Sequence, residues 1–125
     1  MIKEFVKYKE ALELKQLGFN EPCFRWFDER FKDDLLQDRV CGNDALFFTD
    51  LDCSAPIFQQ AFRWFREKHG LFVEIKCCNT KRINGTFEIE ISRLNDRVYG
   101  HYGYETYEEA EQTCLEKLIE TIKNT

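Results

Sequence analysis

Four groups of residues in this chain have the types and spacing to do chemistry. Arg63, Trp64, Arg66 and Lys68 place two guanidiniums, an ammonium and an indole within six residues, a set able to neutralise phosphates and stack a base. Lys81 and Arg82 add a second small positive spot further along. Glu90 and His101 form a candidate acid and base, because a carboxylate raises and orients an imidazole, and Tyr99 stands two residues before that histidine. The aromatic residues Phe24, Trp26 and Phe27, with Phe47 and Phe48, supply rings for stacking or docking; Trp26 lies beside Arg25 and Asp28, the company that partner surfaces keep.

Each group also has a plainer reading. Basic residues on the wet face of a helix usually serve solvation. A cross-strand Glu90–His101 pair is worth only about 0.2–1 kcal/mol on a sheet surface. Burial accounts for about half of the aromatics, with Phe24 and one of Phe47 and Phe48 expected inside and Trp26 outside. No third catalytic group, oxyanion hole or glycine-rich phosphate loop accompanies Glu90 and His101, so binding is favoured over catalysis.

The six cysteines, Cys23, Cys41, Cys53, Cys77, Cys78 and Cys114, contain no C-x-x-C pair, and neither His69 nor His101 has ligand-type spacing to any of them. Reduced thiols and no metal are expected. Cys77 and Cys78 are neighbours on a strand and point to opposite faces, while Cys114 behaves as a small hydrophobe on a helix stripe.

The elements that must position these residues follow from periodicity. A first helix over residues 5–17 stops at Gly18. A strand over Glu21–Asp28 follows, then a helical turn at Lys32–Gln37 and, after a turn at Asn43-Asp44, the apolar run Ala45–Phe48 as the second arm of a hairpin. Ser54-Ala55-Pro56 reads as the cap of a second helix that runs to His69 and stops at Gly70. Strands begin at Leu71 and at Phe87, where Phe87, Ile89 and Ile91 alternate with Glu88, Glu90 and Ser92. A turn at Asn95-Asp96 sets Leu94 against Arg97, which puts Gly100, Tyr102 and Tyr104 on the apolar face and Tyr99, His101 and Gly103 on the polar one. Thr106-Tyr107-Glu108-Glu109 has the form of a capping box, followed by the stripe Tyr107, Ala110, Cys114, Leu118 and Ile122.

Composition bounds the rest. The chain has 125 residues, 33% charged and 43% hydrophobic, with a formal net charge of −5, which suits a globular domain and disfavours general polyphosphate binding. No stretch approaches the ~20 apolar residues of a membrane span, and the N-terminus lacks the order of a signal peptide, so a cytoplasmic protein is expected.

The order helix, strand, strand, strand, helix over residues 54–123 resembles the double-stranded-RNA-binding domain. Ala110 matches the alanine at the start of that family's final helix, whereas Glu108, Glu109 and Glu111 stand where the family carries phosphate-gripping lysines. The resemblance implies the fold and not the activity, since carboxylates facing an RNA groove repel it. The runs Leu17–Cys23, Ser54-Ala55-Pro56, Gln60–Lys68 and Tyr107–Glu111 are similar to small proteins of Bacteroidetes phages and prophages over most of the chain. That likeness implies a phage accessory product in the bacterial host cytoplasm, with counter-defence inhibition of a host protein or capture of a small charged ligand as its role.

The expected molecule is therefore α+β: one domain over residues 1–125, with a helix-and-hairpin extension at 1–53 and an αβββα core at 54–125 whose helices pack on one face of an antiparallel sheet. Its expected ligand or partner contacts are Arg63, Arg66, Lys81, Arg82, Trp26, His101 and Tyr99, with no catalytic residue, metal or cofactor. A host protein or small charged ligand is the expected partner, double-stranded RNA the less favoured one; no membrane is involved, and a homodimer is allowed.

Overall fold

The computed structural model describes residues 4–30, 36–78 and 86–125. The chain is α+β and divides into two compact units, Met1–Gln60 and Ala61–Thr125. The division falls inside the helix Phe58–His69.

The first unit holds helix α1 (Tyr8–Gln16) and strands β1 (Cys23–Phe27), β2 (Leu36–Cys41) and β3 (Cys53–Ala55). The strands form an antiparallel sheet in the order β2-β1-β3, and α1 packs on β3. Leu14, Ala11 and Val6 are buried with Phe19, Cys23, Phe27 and Cys53. Gly18, at φ +102°, ends α1 as its spacing predicts, letting the Phe19 N–H reach back to the Leu14 carbonyl at 2.9 Å.

Four expectations for this unit need correction. Ala45–Phe48 is not a strand: β1 pairs instead with β2 and β3, while successive turns run through residues 43–51. Side-chain bonds hold that loop away from any ladder. Asn43 donates through Nδ2 to the Phe19 carbonyl at 2.7 Å and accepts the Ser54 N–H on Oδ1 at 2.8 Å, and Asn20 Oδ1 accepts the Asp44 N–H at 3.0 Å. Ser54 is likewise no helix cap, since it sits in β3 opposite Trp26; the helix begins later, after Ile57 bridges to Phe5. Leu36 and Gln37 open β2 rather than continuing a helical turn, and the remainder of that predicted turn lies outside the described residues. Phe24 is 74% exposed, not buried, because it stands where the β1–β2 register shifts between Cys23 and Arg25.

Helix α2 (Phe58–His69) carries the predicted buried stripe Phe58, Ala61, Phe62 and Phe65 and ends at Gly70, whose φ is +65°. In the second unit, strands β4 (Phe72–Cys78), β5 (Thr86–Arg93) and β6 (Asp96–Tyr104) form an antiparallel sheet in chain order, covered by helix α3 (Tyr107–Lys123). Ile89 and Ile91 are fully buried, with Ala110, Cys114, Leu115 and Leu118 of α3. The alternation along β5 therefore points as its sequence dictates.

The register of β6 does not. The turn residues are Leu94 and Asn95, the latter at φ +75°, so Arg93 faces Asp96. Two register shifts follow: the first places Tyr99 opposite Ile91 and His101 opposite Ile89, and the second restores Tyr104 opposite Phe87, the one pairing of the expected register that holds. The second shift falls at Gly103, whose φ of +99° is a bulge conformation that a side chain would strain. Tyr99 and His101 thus share the face of the buried isoleucines, while Gly100 and Tyr102 share that of Glu90 and Glu88.

Candidate functional site

The first unit contains a cavity of about 410 Å³ lined by Trp26, Asp28, Glu29, Arg30, Phe47, Thr49 and Asp52. Its wall is aromatic. Strand β1 presents Trp26, and the loop after β2 brings Phe47 and Phe48 against it, with all three ring centroids 5.0–5.1 Å apart. The apolar run that looks like a strand in sequence is spent on this cluster, while its neighbour Leu46 is fully exposed.

The floor is charged. Asp52 is 4% exposed, and its two carboxylate oxygens accept the N–H groups of Glu29 and Thr49, each at 2.9 Å. Asp28 is buried where the chain leaves β1, and it accepts a two-pronged contact from Arg30, Nε to Oδ1 at 3.0 Å and Nη2 to Oδ2 at 2.7 Å. That side-chain hydrogen bonding, reinforced by the Arg30 N–H on the same carboxylate, holds the Asp28 carboxyl below its ordinary range. Three carboxylates face one guanidinium around the cavity, a net charge of −2 in the lining.

The surroundings brace this arrangement. Lys15 on α1 donates to the carbonyls of Asp52, Thr49 and Asp50 at 2.7, 3.2 and 3.2 Å, so its ammonium anchors the loop. Tyr8 donates to the Leu51 carbonyl at 2.8 Å. Arg39 of β2 sets its guanidinium 4.3 Å from the Phe47 ring centroid, a cation–π distance.

Of the residues the sequence marks, Trp26 and its aromatic companion Phe47 line the cavity. Arg63 and Arg66 are exposed on α2, but their neighbour Trp64 is 4% exposed and packs its ring on Phe65 and His69, so it offers no face for a base. Tyr99 is half-buried against α3, with Lys117 Nζ 5.1 Å from its ring centroid. It also hydrogen-bonds Tyr104, whose phenol is pushed up to about 12, burial being the largest cause. His101 is exposed and stacks on Tyr102 at 6.0 Å. It makes no pair with Glu90: the register carries that carboxylate opposite Gly100, where it accepts from Arg97 at 3.4 Å. Lys81 and Arg82 lie outside the described residues.

Sequence reading groups Trp26 with Phe47 but misses Asp28, Arg30 and Asp52 as their companions, because residues 26–30 and 47–52 meet only through β1, β3 and the pegged loop. The available signal was an aromatic strand ending in Asp-x-Arg. The described thiols are free, and burial pushes Cys23 up to about 11 and Cys53 and Cys114 up to about 12, which makes them poor nucleophiles. Among the described residues, no three His, Cys, Asp or Glu side chains are grouped to hold a metal ion, and no helix is long and apolar enough to cross a membrane. Compared with family models, curated proteins and solved structures, the chain matches none.

Proposed function

We propose that this chain is a non-catalytic binding protein that captures a small organic cation in the aromatic and acidic cavity of its first unit. One observation carries the reading: Trp26 and Phe47 wall a space of about 410 Å³ whose lining has a net charge of −2. Aromatic faces and carboxylates both attract cations and both repel phosphates, so the two halves of the site select the same ligand charge. Asp28, held ionised by Arg30, suits a charge partner rather than a proton donor.

Calorimetric titration with amine and guanidinium compounds, beside nucleotides and inorganic phosphate, tests this. Cations should bind with an affinity that falls as salt rises, and Trp26→Ala should weaken them at least about tenfold, the loss of about 1.4 kcal/mol of ring contact. Binding of phosphates without cations would refute it. Duplex RNA retained at about 0.15 M salt and lost in Arg63→Ala or Arg66→Ala would move the function to the exposed face of α2.

A further inference from the structure

The cavity already holds guanidinium chemistry supplied by the chain itself. Arg30 lays its fork along both oxygens of Asp28, the geometry in which planar guanidinium matches carboxylate and a compact ammonium does not. The Asp28 side chain is only 8% exposed beside an Arg30 side chain that is 74% exposed. Arg30 therefore covers the carboxylate from the solvent side and is tethered to it across just two residues. Phe47, which lines the same cavity, takes a second guanidinium over its ring, that of Arg39 at 4.3 Å. Both contacts a bound guanidinium would use, a carboxylate fork and an aromatic face, are thus made here by side chains of the chain.

Resting on the cation-binding reading above, we infer that the ligand is a guanidinium group, and that Arg30 is a built-in competitor which the ligand displaces from Asp28. Glu29 and Asp52 add their field to that of Asp28 around Arg30, and the lining keeps a net charge of −2 with Arg30 counted, so a second guanidinium is drawn to the site that Arg30 holds. The exposed Arg30 side chain releases the fork and turns to water, while the incoming group gains the same fork and the Trp26 side of the aromatic wall. The ligand's source is either a free guanidino compound or an arginine side chain of a partner. The negative lining disfavours the α-carboxylate of free arginine, which points to the side chain.

The experiment titrates the intact protein and its Arg30→Ala and Arg30→Lys variants with methylguanidinium, methylammonium, free L-arginine and N-acetyl-arginine amide. Methylguanidinium should bind the unaltered protein more tightly than methylammonium. Arg30→Ala should raise methylguanidinium affinity about tenfold and methylammonium affinity about fivefold less than that. Arg30→Lys keeps the charge and loses the fork, so it should tighten methylguanidinium about threefold. The capped arginine should bind more tightly than free arginine if the source is a side chain, and the reverse order assigns it to a free guanidino compound; either order supports the inference. Equal gains for the two cations in Arg30→Ala, or no gain in Arg30→Lys, would overturn it while leaving cation capture standing. A protein that binds none of these cations removes the cation reading itself and this inference with it.

Discussion

Asp52 ties together the two stretches of chain that enclose the cavity, because one carboxylate oxygen holds the Glu29 N–H beyond β1 and the other the Thr49 N–H of the loop, both at 2.9 Å. Replacing it by alanine strands two backbone donors at once. A hydrogen bond to a charged acceptor contributes about 1.5–3 kcal/mol; the lower end applies because both bonds are only partly buried, so Asp52→Ala should cost about 3 kcal/mol. Asparagine keeps one acceptor oxygen and turns an NH2 toward the other donor, so Asp52→Asn should fall between, near half that loss. Urea unfolding followed by circular dichroism measures both. With a slope of about 1.5 kcal/mol per molar for a small chain, the alanine variant should shift its midpoint down by about 2 M. A loss under about 1 kcal/mol for alanine, or an asparagine variant as stable as the parent, would refute the view that this carboxylate holds the cavity's frame.

His69 makes the next test: its ring lies 5.0 Å from Trp64, its Nε2 is buried without a hydrogen-bond partner among the described residues, and burial, then Lys68, lowers its pKa. The folded state resists the proton that the unfolded state takes, so this contribution is complete above the unfolded value of about 6.5 and is lost as pH falls below it. The urea midpoint should drop between about pH 7.5 and 5.5 in the parent and drop less in His69→Gln; parallel slopes would refute the assignment. Thiol labelling with iodoacetamide at about pH 8, resolved by mass spectrometry, should modify exposed Cys77 before Cys23, Cys53 and Cys114, since a thiol at about 11 has about one thiolate per thousand there. Early labelling of Cys53 would contradict its burial. Thr106→Ala should cost about 1 kcal/mol, because the Thr106 hydroxyl accepts the Glu109 N–H at 3.1 Å at the start of α3; an unchanged thermal midpoint would show the cap contributes nothing.

What could be read from sequence was local and periodic. Phe87, Ile89 and Ile91 alternate along β5, and two of the three are wholly inaccessible, because one face of that sheet is covered by α3. Gly18 and Gly70 end their helices in left-handed conformations, a requirement their neighbours' patterns already implied. The strand opposite was illegible for a reason just as physical. Each register shift along β6 exchanges its faces, and the sequence carries no clear mark of either beyond Gly103. One residue of slip moved His101 from the side of Glu90 to the side of Ile89, and with it went the candidate acid and base.

The cavity was partly legible for a different reason. Trp26 was marked by its company, an indole between charges on a strand, and burial of one ring edge against Phe47 and Phe48 follows from having three aromatics to cover. The carboxylates were not, because an aspartate in sequence is a surface residue by default and its burial depends on donors brought from elsewhere. Asp52 is buried with two amides supplied by segments twenty-three and three residues away, and Asp28 with a guanidinium two residues on. A core needs neither arrangement, since apolar side chains of the same volume would fill the space without desolvating charge. A fold that keeps two buried carboxylates under an aromatic wall, and leaves about 410 Å³ of space between them, retains negative charge where a cation can reach it.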